Sequence, residues 1–309
     1  MMTKKIGLLF KNISILCLIV FLAVGVSGCT ATRHTVQKAV IPSLDTSVDD
    51  LVDKIIRQKV SGEFITDSLP GVLLLVTGLV ELAPTDYKLL ATTSFLYAAL
   101  GLFVEDEDPD YAISLYDQGK DFAMRAMEIN NPKFSKAVAE KGAHIADAVQ
   151  LLTKDDLKAT LWYGVNLAKR ITLQLTTPEE ILAIPDAIAI IKRGIEIDPN
   201  YSWGIDFVAM GIVYSILPAM LGMGGGAEAA MEAFTNANRV ENGELGLADV
   251  FKARYLCPLT KDHDEFYRLN NRVIAMDPCK LAGGLCIINE LGKQKARFNL
   301  EHKAKYMGY

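Results

Sequence analysis

The chain has 309 residues, a formal net charge of −5, half of its residues apolar and 22% charged. That is too apolar for a disordered chain and long enough for one large domain or two average ones. A mildly acidic protein without a basic stripe is a poor nucleic-acid binder, so nucleic acid is excluded as a partner.

At the start of the chain, Lys4, Lys5 and Lys11 give a positive region and Ile13 to Val26 an uncharged apolar run, with the small residues Ser27-Gly28 ahead of Cys29. This is the order of a secretory signal, and the run falls short of the roughly 20 residues a membrane span needs. Val26-Ser27-Gly28-Cys29 also resembles the lipobox of bacterial lipoproteins, where a cysteine thiolate takes the lipid and becomes the first mature residue. Residues 1–28 are therefore expected to be a cleaved lipoprotein signal peptide. Cys29 is expected to carry several acyl chains, palmitate among them, because one chain alone anchors only marginally. The alternatives are a plain secretory signal with a chance cysteine, and an uncleaved anchor. Thr30 stands where an Asp commonly marks inner-membrane retention, which favours the outer membrane, with the domain facing the periplasm. Of the later cysteines, Cys257, Cys279 and Cys286, at most two can pair with each other. A pair within the C-terminal segment is expected, but the spacing does not fix which.

Residues 29–45 carry no apolar period and read as a lipid-anchored tether, leaving 46–309 as the folded domain. From about Val48 the pattern is helical, without convincing strand alternation. Asp108-Pro109 reads as a cap followed by proline at the first helical position. Thr177-Pro178-Glu179-Glu180 reads as a capping box, and Asp155-Asp156 after Thr153 suit the positive end of a helix dipole. Four helix-ending phrases recur: Leu82-Ala83-Pro84, Ile129-Asn130-Asn131-Pro132, Ile197-Asp198-Pro199 and Met276-Asp277-Pro278. Ala187, Ile191, Gly194 and Pro199 are spaced as in the second helix of a tetratricopeptide unit. Ala112, Tyr116, Gly119 and Ala230, Phe234, Ala237 repeat part of that spacing. The intervals between the prolines are uneven and far from a strict period of about 34 residues. The fold class that follows is all-α: a degenerate tetratricopeptide-like array of helical hairpins, roughly 11–13 helices. Stacked hairpins leave an inner surface, groove or channel. Gly71–Leu82 and Val208–Leu221 are apolar on more than one side, which implies deep burial, a homo-oligomer interface or a greasy cavity.

Glu81-Leu82-Ala83-Pro84-Thr85-Asp86-Tyr87 leading to Leu89-Leu90-Ala91 resembles the T component of TRAP-type transporter systems (TatT). So do Leu161-Trp162-Tyr163 with Ala168, Ile197-Asp198-Pro199-Asn200-Tyr201, and Leu217-Pro218 to Gly224-Gly225-Gly226. The resemblance spans roughly residues 60–300 and lies in many soft positions. It implies a periplasmic, tetratricopeptide-like helical lipoprotein that works beside the solute-binding protein of a tripartite transporter and hands over a small, partly apolar ligand. The competing function is a helical-repeat scaffold in envelope assembly with no transport role. Around Ala137–Leu152 and in the Lys-rich C-terminal helix the sequence departs from the family pattern.

The candidate ligand-binding residues are Trp162, Tyr163, Asn166, Tyr97, Trp203 and Tyr214, because such aromatics present an apolar body and a polar tip. Each also fits plain core packing. Trp162 and Tyr163 are placed on or near the wall of an inner cavity, flanked by the polar Asn166 and Lys169. The run Gly222, Gly224, Gly225, Gly226 reads as a tight turn needing positive φ, because no Lys-Ser/Thr follows to make a phosphate loop. Asp262-His263-Asp264-Glu265 reads as helix capping, and Glu105-Asp106-Glu107-Asp108 as a solvated acidic linker without EF-hand order. The four histidines, His34, His144, His263 and His302, sit in no recognisable nucleophile motif. Neither a catalytic residue nor a metal or cofactor is expected.

Overall fold

Ser61 opens the first long helix by accepting the Phe64 N–H, and from there the chain is helix upon helix. The computed structural model describes residues 52, 54, 55, 57, 58, 61–140, 144–217, 224–280 and 286–308. The signal peptide, Cys29, the tether and Gly222 lie outside the described residues.

The helices are α1 (Gly62–Leu82), α2 (Tyr87–Val104), α3 (Pro109–Asn130), α4 (Pro132–Val138), α5 (Ile145–Ala148), α6 (Leu157–Leu173), α7 (Pro178–Ile197), α8 (Ile205–Ile216) and α9 (Ala227–Val240). Next, α10 starts as Gly246–Phe251, widens into a π-helical turn over Lys252–Leu256 and closes as Cys257–Thr260. The last three are α11 (His263–Ala275), α12 (Cys286–Glu301) and α13 (Lys303–Met307). Among the described residues there is no strand, and the class is all-α as the periodicity implies. The four helix-ending phrases do end helices: α1 stops at Leu82, α3 at Asn130, α7 at Ile197 and α11 at Ala275.

Consecutive helices pack as hairpins, α2 on α3, α6 on α7, α8 on α9 and α11 on α12, and the hairpins meet through α3 against α6 and α7 against α8. The small-residue spacings mark these contacts. Ala112 and Ala187 are completely buried, and a Cβ on Gly194 of α7 would stand 2.5 Å from the Asp206 carboxylate of α8. Asp206 itself is buried with no hydrogen-bond partner for either oxygen among the described residues, and burial pushes its pKa up to about 8.

The caps divide into those that form as the sequence foretells and one that does not. Asp108 accepts from Tyr111 N with Pro109 at the first position, and Asp262 accepts from Glu265 N. Asp156 accepts the Thr153 N–H and both side-chain amides of Asn130 and Asn131, tying the start of α6 to the end of α3. The capping box expected at Thr177 is not formed. Thr177 is the N-cap, but its hydroxyl donates to Gln174 O, and Glu180 is buried in an ion pair with Arg170. A carboxylate already held by a guanidinium gains little from reaching back to a single N–H.

The glycine turn is bracketed by Gly224 (φ 80°) and Gly226 (φ 109°), where an L side chain is strained, and Gly226 N donates to Tyr214 O. Between them a Cβ on Gly225 would lie 2.7 Å from Leu217 O. Of the three late cysteines, Cys279 and Cys286 form the disulfide and Cys257 is free and buried, its thiol pushed up to about 12 mainly by burial.

Candidate functional site

Six helices converge on a cavity of about 340 Å³, within the range of roughly 300–1,000 Å³ typical of small-molecule sites. On α2, Phe95, Ala99 and Leu102 fall four and three residues apart and share one face. On α6, Trp162, Val165 and Lys169 do the same. α8 adds Val208 and Ile212, α10 Leu247 and Phe251, and α12 Ile287 and Leu291. Ile65, Leu69 and Val72 of α1 close one side, together with Val52 and Ile55. The Trp162 and Phe95 rings lie 4.7 Å apart, tilted by 50°, and make the aromatic part of the wall.

Trp162 alone of the six candidate aromatic and amide residues lines this cavity. Its neighbour Tyr163 points elsewhere, since adjacent residues on a helix do not share a face, and burial followed by the charge of Asp186 raises its phenol well above the ordinary value. Asn166 is fully buried on the α3 side. Its amide donates to Trp162 O and to Ser94 Oγ, and a Cβ on Gly119 would collide with it. Tyr97 donates to Gln118 Oε1 and stacks on Phe122, so it joins α2 to α3. Trp203 sits in a left-handed turn before α8 with φ 60°. Tyr214 is half-buried and its backbone carbonyl holds the glycine turn.

Lys169 connects the cavity to a cluster of charges that the sequence concealed. Glu105, taken as part of a solvated linker, is instead buried: the linker reading holds for Glu107 and Asp108 but not for Glu105 or Asp106. Glu105 Oε2 lies 3.0 Å from Lys169 Nζ and accepts the Tyr116 hydroxyl at 2.6 Å, while its Oε1 lies 2.7 Å from Lys295 Nζ. Asp106 takes Arg254 through both oxygens, at 2.7 and 3.1 Å, and Lys295 at 3.1 Å. Burial works to neutralise Glu105, but Lys169 and Lys295 outweigh it and hold the carboxyl below its usual value. Burial lowers Lys295, whereas at Lys169 the neighbouring Glu105 overcomes burial and raises the ammonium. The π turn of α10 carries both Arg254 and Tyr255 into this cluster, in keeping with the frequency of such turns at functional sites. On its far side, Glu105, Asp106, Arg254, Tyr255 and Tyr306 line a second, more polar cleft of about 350 Å³. The Lys169–Glu105 ion pair thus stands between an apolar cavity and a polar one.

The signal for Lys169 was present in the sequence as a cation seven residues, two helical turns, after Trp162 and so on the same face, with Arg170 beside it on another. Phe95 and Phe251 gave no signal beyond apolarity. Glu265, also in an acidic run, caps nothing: it pairs with Lys252 and Arg268, which hold its carboxyl down at about 2.

No curated protein matches the sequence. The family described as TRAP transporter T-component matches residues 62–307, which takes in α1, α2, α6, α8, α10 and α12 and both partners of the Lys169–Glu105 pair. An all-helical chain, matched from the first residue of α1 to the last of α13, belongs to the TRAP transporter T-component family and has an accessory role in TRAP transport.

Proposed function

We propose that this protein is a lipoprotein anchored through Cys29, most consistently to the outer membrane, whose domain faces the periplasm. There it binds the solute-binding protein of its TRAP system and holds a small, partly apolar ligand between α1, α2, α6, α8, α10 and α12. The cavity carries this reading. An apolar space walled by Phe95, Trp162 and Phe251, with a single cation in its wall among the described residues, is what a transient carrier needs and what a pure scaffold does not. A membrane anchor complements it, because a tethered carrier meets its periplasmic partner at raised effective concentration.

The ligand part is tested with the neutral apolar dye N-phenyl-1-naphthylamine. The dye should bind the domain one to one, and Ala168→Trp, which fills the cavity from α6, should abolish the fluorescence gain without loss of helical signal. Dye binding unaltered by Ala168→Trp would place the dye elsewhere and remove the cavity from the proposal. For the anchor, Cys29→Ala should abolish lipid labelling and move the protein to the soluble envelope fraction. An unchanged membrane fraction would assign the anchor to the apolar run instead.

A further inference from the structure

Among the described residues, Lys169 is the one charged residue in the wall of the apolar cavity. Its ammonium has oxygen partners at 3.0 Å (Glu105) and 3.1 Å (Tyr255 Oη) and stands 4.9 Å over the Phe251 ring. An ammonium has three donors. One is therefore left without an oxygen, and the ring beneath it is itself cavity wall.

The cluster behind Lys169 is also unbalanced. Lys169, Lys295 and Arg254 face Glu105 and Asp106, and all five side chains are 9% exposed or less. One positive charge is in excess among these residues, in a place where an uncompensated charge is costly. A neutral ligand would leave that excess as it is. A dianion would overshoot it and set a second charge against apolar wall. A single negative charge on an apolar body satisfies both the spare donor and the balance.

We infer that the cavity takes an amphipathic monocarboxylate, its carboxylate on Lys169 and its apolar body between Phe95, Trp162, Ile212 and Leu291. The inference rests on the cavity being a ligand site, as proposed above. It adds the chemical class of that ligand and the residue that selects it. Tyr255 acts as a positioning residue: its hydroxyl, delivered by the π turn, fixes the ammonium against the cavity wall.

Displacement of bound N-phenyl-1-naphthylamine by decanoate and by decan-1-ol compares one apolar body with and without the charge. Decanoate should displace the dye at about a tenfold lower concentration, as expected for one charge-assisted hydrogen bond in a dry site. Lys169→Met should abolish that preference, the two probes then displacing the dye at similar concentrations. This variant keeps the stem of the side chain and leaves Glu105 its partner Lys295 at 2.7 Å. If circular dichroism finds it unfolded, the double variant Lys169→Met with Glu105→Gln, neutral at both positions, carries the same comparison. Equal displacement by the two probes in the unsubstituted protein overturns the inference and leaves the cavity standing as an apolar site. A decanoate preference that survives the loss of Lys169 overturns it as well. Failure of the dye to bind at all would instead overturn the ligand reading beneath it.

Discussion

Helices α1 and α2 are both long and apolar enough to cross a membrane by length and composition, yet 72% of the apolar stretch of α2 is buried against 22% of that of α1. The central helix α2 packs against α1, α3 and α6, and even its Thr92, Thr93 and Ser94 are buried. By contrast α1 meets α2 along one side and α12 at a few points. Its Leu73, Val76 and Val80 face inward while Leu74 and Leu75 stand 77% and 65% exposed. The lesson is that apolarity measures how much a helix can bury, and the number of neighbours decides how much it does. α1 is a wall of the cavity on one face and an open apolar surface on the other.

The largest effect should come from the end of α2. Glu105→Leu strips Lys169 and Lys295 of a shared carboxylate and frees the Tyr116 hydroxyl, which should cost about 3–5 kcal/mol in denaturant unfolding. The matching change at the end of α1, Glu81→Leu, alters an exposed side chain and should stay within about 0.5 kcal/mol. A loss at Glu105 no larger than at Glu81 would mean that the buried cluster contributes nothing to the fold. Acid reaches the same cluster. The Glu105 and Asp106 carboxyls are held below their ordinary values, so their contribution is complete above the unfolded-state carboxylate range and is lost as pH falls from that range through the lowered folded values. Asp206 slopes the other way. Its folded pKa of about 8 lies above the unfolded value, so its contribution is complete at acid pH and is lost as pH rises toward 8. Asp206→Asn should therefore flatten the stability profile between the ordinary carboxylate range and about pH 8, and an unchanged profile would show that this carboxyl finds a partner.

Truncating leucines sharpens the contrast. Leu90→Ala in α2 opens a cavity at a fully buried position and should cost about 2–5 kcal/mol, while Leu74→Ala in α1 should cost less than about 0.5 kcal/mol. A substantial loss at Leu74 would reveal that the outer face of α1 is covered in solution, and sedimentation of the same samples would tell whether a second copy covers it.

Much of the fold was legible because its signals are local. Proline after a helix and Asp108 ahead of Pro109 act within one turn, and the small-residue spacing of Ala187 and Gly194 marks a close approach to α8, the next helix in the chain. The site was less legible because it depends on helices far apart in sequence. Trp162 could be placed on the cavity, but Tyr163, one residue on, could not be separated from it without knowing which face of α6 looks inward. Glu105 and Asp106 read as a solvated loop because their partners Lys169, Arg254 and Lys295 arrive from three other elements, up to 190 residues away. Thr177 shows the same effect in small: its box is locally perfect and fails because Arg170 claims Glu180.

Glycines give the finest comparison, since α1 and α2 each carry them within the helix and the substitution adds a single methyl. At Gly78 of α1 a Cβ would meet nothing within 4 Å, so Gly78→Ala gains helix propensity unopposed and should stabilise by about 0.5–1 kcal/mol. At Gly101 of α2 the same atom would stand 2.6 Å from the Tyr116 ring. That ring cannot swing aside cheaply, because its hydroxyl is bonded at 2.6 Å to Glu105 inside the buried cluster. Overpacking there should outweigh the propensity gain and cost about 1–3 kcal/mol. The pair of denaturant midpoints should therefore move in opposite directions for one identical chemical change. Midpoints moving the same way would mean that α2 has room around Tyr116. Adding Tyr116→Leu to Gly101→Ala would settle that, since with the ring gone the alanine should no longer be penalised.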